Sequence, residues 1–304
     1  MYVVLEVTPQ ELEATLGALA SKTRDRLAGI HGPQTLAWEH GREVANFIGA
    51  GRAVLLQLAH PPVATAIAEH SKTFTDLRGR FERTFSIVFA MTFGDLDAAV
   101  RSARRLHRIH QRIRGTLPKG GSYAANSRDS LRWVYATLVD SVFAVRRFCG
   151  EPLSPAVCEL YYRETKRFAL LFGLTDADLP ASYRDFRQYV EGAADDALIE
   201  VSPAARDMAT ALLASPMRVL SPLASQFREI SAGLLPERVA HDFGLKQNAR
   251  ARGRATALYR GLKSCPEQLR FFPDYLDALA RLGLRNSRAA RLDRASRAAL
   301  RRYM

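Results

Sequence analysis

The sequence predicts an all-α protein, and three observations lead there. Hydroxyl caps followed by proline recur along the chain, apolar residues repeat at helical spacing, and strand signals are scarce. No hairpin dipeptide sits between alternating apolar runs, and no strand-then-helix alternation repeats. With 304 residues, 47% apolar and 25% charged, the chain is long enough to bury a substantial core without metal or disulfides. The same composition excludes disorder, collagen-like repeats and disulfide-rich miniproteins.

Thr8-Pro9-Gln10-Glu11 is a capping box with proline at the first helical position, so a helix should begin there. Leu12, Leu16 and Leu19 give it an apolar face, and Lys22 to Arg26 suit the negative end of its dipole before Gly29. A second helix is expected over residues 35–48, ended by Gly49-Ala50-Gly51. A third begins near Arg52 and must break or kink at His60-Pro61-Pro62, because proline lacks the amide and clashes with the preceding turn. Helix resumes over 63–70. Further helices are expected over 78–93, 95–114, 130–148, 154–172, 184–191 and 202–214, with Ser154-Pro155 and Ser202-Pro203 as capped starts. Gly115 and Gly121 read as a helix C-cap and a turn. Prolines at 118, 152, 180, 216, 222 and 236 mark joints, none long enough for a linker, and there is no internal repeat.

Charge divides the chain unevenly. The formal net charge is +13, yet residues 1–244 carry 29 basic and 27 acidic groups while 245–304 carry 15 and 4. We therefore expect one multi-helix globular domain over 1–244 followed by a basic helical extension over 245–304. From Arg281 onward, Arg288, Arg291, Arg294, Arg297 and Arg301 recur at nearly helical spacing with Leu292, Ala295, Ala299 and Leu300 between them. Residues 281–304 thus read as a basic amphipathic helix that could lie on an anionic membrane, each basic residue contributing ~1 kcal/mol near the surface. A nucleic-acid partner lacks support from aromatic interleaving, a zinc module or a helix-turn-helix. The cysteines Cys149, Cys158 and Cys265 are odd in number and form no C-x-x-C, and no leader pattern opens the chain, so a reduced, cytoplasmic protein is expected. The longest apolar stretches fall short of the ~20 residues that span a bilayer.

Three motifs carry little. Gly49-Ala50-Gly51 follows no strand, which a dinucleotide loop requires. Tyr162 and Lys166 have dehydrogenase-like spacing without a sheet to support it. His107 and His110 share a helix face, but no H-E-x-x-H and no third zinc ligand accompany them.

The segment from Gly51 to Gly121 concentrates polar groups inside apolar helices. In order it reads Gly51-Arg52-Ala53-Val54-Leu55-Leu56-Gln57-Leu58-Ala59-His60-Pro61, His70-Ser71, Arg80-Phe81-Glu82-Arg83-Thr84, His107-Arg108-Ile109-His110 closed by Gly115, and Gly121-Ser122-Tyr123-Ala124-Ala125. This order, continued by Trp133-Val134-Tyr135-Ala136-Thr137, Tyr161-Tyr162 and Val201-Ser202-Pro203-Ala204-Ala205-Arg206, resembles the haem-dependent oxygenases typified by MpaB and the rubber oxygenase latex clearing protein. The resemblance runs from about residue 42 to about 225.

It implies haem b as cofactor, O₂ and a lipophilic alkene or isoprenoid-like molecule as substrates, and His110 as the axial iron ligand. Arg80, Arg83 and Thr84 lie at i, i+3 and i+4 before an apolar run, as a propionate edge with a slot beyond it requires. Arg83 and Thr84 are the catalytic candidates, and His60 is a further contact for cofactor or substrate. His107 is the reserve ligand. In the rubber oxygenases a lysine precedes this threonine and can bind the iron's distal side; Arg83 stays protonated and cannot, so it would polarise oxygen instead. Tyr135 stands where relatives often have histidine.

Each residue also has a plainer reading: Arg80 and Arg83 as surface ion pairs, His110 as one of the polar residues of an arginine-rich helix, His60 as a helix-end residue, Tyr123 and Trp133 as core aromatics. The competing function is a non-catalytic helical binding protein whose basic end meets an anionic membrane or partner.

Overall fold

In the computed structural model, the residues described are 4–70, 77–195, 198–214 and 221–284, with the side chains of 77–83, 194–195 and 221–223 left aside. Helix α1 (Pro9–Lys22) begins at the capping box: Glu11 N donates to Thr8 Oγ1 at 3.2 Å and Thr8 N donates to Glu11 Oε2 at 2.8 Å. The helix expected over 35–48 is divided. α2 (Leu36–Gly41) stops and a 3₁₀ turn (Val44–Gly49) follows, because the chain between them is committed elsewhere. Phe272 N donates to the Arg42 carbonyl at 2.9 Å, Arg42 reaches Tyr275 Oη at 2.9 Å, and Glu43 holds Arg270 at 2.7 Å. Those tertiary bonds outweigh local helix propensity.

α3 (Ala50–Leu58) and α4 (Pro61–His70) are separated at His60, as the proline pair requires. α5 (Leu77–Phe93) and α6 (Leu96–His110) follow. α6 ends at His110, four residues before the expected stop, and the chain turns into an antiparallel hairpin, β1 (Arg114–Thr116) with β2 (Ser122–Ala124). Gly115 is therefore no C-cap. It pairs with Tyr123, and a Cβ there would stand 2.9 Å from the Tyr123 ring. Gly120 and Gly121 make the turn at φ +88° and +89°, which glycine alone adopts without strain.

α7 (Arg128–Phe148), α8 (Pro155–Ala169), α9 (Tyr183–Asp195) and α10 (Pro203–Leu213) complete the expected set, with Ser154 and Ser202 capping α8 and α10. Five more helices extend it: α11 (Ser221–Leu234), α12 (Glu237–Asp242), α13 (Ala249–Lys263), α14 (Glu267–Arg270) and α15 (Pro273–Arg281). Among the described residues the fold is thus fifteen α-helices with one two-stranded sheet, an all-α protein as predicted.

α3 is the buried axis. It packs against α7 and α11, and a Cβ on Gly51 would come within 2.1 Å of Ser231 Oγ, so glycine sets that approach. Inside, Arg52 pairs with Asp140 at 2.6 Å and also donates to Ser141 Oγ at 3.1 Å and the Leu234 carbonyl at 3.0 Å. Trp133 Nε1 donates to the Leu56 carbonyl at 2.9 Å. α13 and α15 bury Ala251, Ala255 and Tyr259, and Tyr275, Leu276 and Ala278. Arg281 belongs to this packing: it donates to the Leu27 carbonyl at 2.9 Å and the Phe93 carbonyl at 2.7 Å. The arginines at 288, 291, 294, 297 and 301 lie outside the described residues. Among those described, no helix is long and apolar enough to cross a membrane.

Candidate functional site

Helices α3 to α7 and α10 surround a cavity of about 190 Å³, many times the space a single water needs. α3 and α4 contribute Val54, Leu58, Pro62 and Ile67; α5 contributes Ile87, Val88 and Met91; α7 contributes Leu131, Val134 and Leu138. Four polar residues interrupt this wall: Gln57, Thr84, Ser130 and His110. Gln57 Nε2 is engaged by Thr137 Oγ1 at 3.0 Å, and Ser130 Oγ lies 2.8 Å from Ser127 Oγ at the start of α7. Thr84 and His110 come from separate sequence motifs and meet at this one cavity.

His110 is the last residue of α6, a helix started by Asp95, whose Oδ1 accepts from Ala98 N at 2.6 Å. Its ring is half-buried, with Nδ1 shielded from solvent. The turn after it is fixed from both ends. Ile113 N donates to the His110 carbonyl and Ala125 N donates to the Ile113 carbonyl, each at 2.9 Å, and both Ile113 and Ala125 also line the cavity. These bonds tie the backbone at His110 to the hairpin, and Tyr123 ties the hairpin to α4 by donating to Glu69 Oε2.

The other sequence candidates are placed differently. Arg80 and Arg83 belong to α5 just before Thr84, and their side chains fall outside the described residues. His60 sits behind the wall, 3% exposed, its ring stacked 6.4 Å from Trp133; burial pushes its imidazole down to about 4. His107 is buried one turn before His110 and is not part of the cavity lining; burial lowers its basicity, partly opposed by Glu6. Tyr135 is fully buried with its hydroxyl 3.0 Å from Thr165 Oγ1. Tyr123 and Trp133 are core aromatics as expected, 2% and 0% exposed. Tyr162 and Lys166 donate to the Pro180 and Ala181 carbonyls, a structural use of the pair.

Among the described residues, no three His, Cys, Asp or Glu side chains converge as a metal site. A cavity offering one imidazole within an apolar wall does not suit a bare metal ion, which needs several protein ligands. It does suit iron carried in a flat apolar macrocycle, whose ring supplies the remaining ligands.

A second cavity, of about 160 Å³, adjoins the first; Val88 and Leu138 line both. Sequence reading gave no sign of it, because its wall is gathered from segments scattered between residues 31 and 272.

Comparison with known families finds one model, described as ER-bound oxygenase mpaB/B'/rubber oxygenase, catalytic domain, over residues 37–264. No curated protein and no solved structure matches the chain.

Proposed function

Because the chain belongs to the mpaB/rubber oxygenase catalytic-domain family, we propose that it is a haem b-dependent oxygenase acting with O₂ on a lipophilic, alkene or isoprenoid-like substrate. One observation carries the reading: His110 and Thr84, from separate sequence motifs, line one mostly apolar cavity. Haem, when bound, supplies the redox chemistry with O₂.

The chain's residues have distinct tasks. His110 is the residue that would hold the iron. Its place at the C-terminus of α6 puts it at the negative end of the helix dipole, which strengthens an imidazole as an electron donor. The hairpin anchors the backbone that carries it. Thr84, with Arg80 and Arg83 from the same motif, would supply partners for the cofactor's carboxylates. Ile87, Met91, Val134 and their neighbours exclude water and give an apolar substrate a matching surface.

The test is a visible absorption spectrum of the purified or haem-reconstituted chain. A Soret band is expected, lost or strongly shifted in His110→Ala and kept in His107→Ala. No band in the parent protein, or an unchanged one in His110→Ala, overturns the assignment.

A further inference from the structure

The second cavity has a chemical preference of its own. Most of its wall is apolar, including a contiguous run of phenylalanines. Phe47 lies 4.6 Å from Phe85, Phe85 6.1 Å from Phe89, and Phe89 4.6 Å from Phe272, ring centre to ring centre. Six polar side chains break this surface: Thr92, Ser141 and Thr165 donate their hydroxyls to the Val88, Thr137 and Tyr162 carbonyls, and Tyr161, His31 and Asn46 complete the set. His31 Nδ1 and Asn46 Oδ1 are both closed off from solvent, and neither has a hydrogen-bond partner among the described residues. His31 is 7% exposed. Asn46 is oriented by its amide nitrogen, which donates to the His40 carbonyl at 2.6 Å, so its oxygen is the end left to act.

A buried polar atom without a partner costs stability, about 1–3 kcal/mol. Both atoms belong to residues that line this cavity, and a ligand's polar group placed beside them would complete the bonding.

The chemistry of the two atoms selects that group. Asn46 Oδ1 is an acceptor and needs a donor. His31 is held neutral, since burial and the nearby Arg167 push its imidazole down to about 3. A neutral imidazole Nδ1 either donates or accepts according to tautomer. An ether or ketone cannot donate to Asn46. A carboxylate brings a charge to a wall with no cationic side chain, since Arg167 is not part of the lining. A hydroxyl donates and accepts, so it serves either atom.

We infer that the second cavity binds a long apolar chain ending in a hydroxyl, with His31 and Asn46 receiving the hydroxyl and the phenylalanine run holding the chain. The apolar part then reaches Val88 and Leu138, the boundary with the His110 cavity, so under the oxygenase reading the alcohol-bearing end of the substrate is anchored here while the reacting segment lies beyond. Only that last link rests on the oxygenase reading. The binding site itself does not.

The experiment is equilibrium dialysis of the full chain against octan-1-ol, its isomer 1-methoxyheptane, and octanoate. Octan-1-ol should bind at least about fivefold more tightly than either, the discrimination expected from one or two completed hydrogen bonds. His31→Leu and Asn46→Leu should each bring alcohol and ether to within about twofold, while His110→Ala keeps the preference. His31→Leu should also melt at the parent temperature or above, because it removes an unpartnered polar atom. Equal binding of the isomers, tighter binding of octanoate, an unchanged preference in both variants, or a lowered melting temperature in His31→Leu overturns the inference. A chain that shows no Soret band yet keeps the alcohol preference overturns the oxygenase reading alone.

Discussion

Arg52 and Asp140 form an ion pair inside the helical core, 6% and 4% exposed at the side chain. Two charges taken out of water are tolerated because each guanidinium nitrogen has a partner: Nε the Leu234 carbonyl, Nη1 Ser141 Oγ and Nη2 Asp140. The pair ties α3 to α7 and to the end of α11, the frame behind both cavities. Removing Asp140 strands the Arg52 charge, and removing Arg52 leaves Asp140 only its longer contact with Arg147, at 3.5 Å. Arg52→Met or Asp140→Asn should each cost about 3–5 kcal/mol in urea unfolding, and the double change Arg52→Met with Asp140→Leu much less than the sum. Single changes worth under about 1 kcal/mol would show that the pair is dispensable. At this scale His110 illustrates what a sequence reveals: spacing alone places it among arginines, and only the order of several motifs singles it out. His31 and Asn46 carry no pattern, because what distinguishes them is the lack of a partner in the folded chain.

The hairpin between α6 and α7 has six paired residues and controls the most consequential side chain of the proposed site. Gly115→Ala should push against the Tyr123 ring at 2.9 Å and Glu69 at 3.0 Å. A destabilisation of about 1–3 kcal/mol follows from such overpacking and, under the proposed haem function, weaker haem retention as the His110 turn shifts. A variant with parent melting temperature and Soret intensity would show that the hairpin does not position the ring. This hairpin was invisible in the sequence because its strands are three residues long, do not alternate apolar and polar residues, and are joined through residues 117–121 rather than by a two-residue turn. α1, α8 and α10 were legible because Thr8, Ser154 and Ser202 cap them in recognisable local patterns. α13 was legible only as part of a basic helical extension, because its buried face, two alanines and Tyr259, is set among Arg250, Arg252, Arg254 and Arg260. The split after α2 was equally unreadable, since residues some 230 positions away impose it.

Over the whole molecule, the net charge of +13 and the packing divide the chain at different places. The basic excess begins after Gly244, yet α13 to α15 are built into the helical body and Arg281 clasps the backbone of Leu27 and Phe93. A test of membrane attraction should therefore retain Arg281. The full chain is expected to pellet with anionic vesicles and a chain ended at Gly283 to pellet less, with the difference vanishing at high salt. Equal pelleting ends the membrane reading.

Val88 and Leu138 have one more consequence, as the residues common to both cavities. A party wall cannot be moved for one tenant alone. Enlarging either side chain shrinks two rooms together, and an occupant that presses on one face of the pair is felt on the other. Whatever filling one cavity does to affinity in its neighbour, filling the neighbour must do in return, by the same factor. Substrate choice and cofactor retention would then be inherited as one trait at these positions, and separable only through residues such as Ile87 or Phe89 that face a single room.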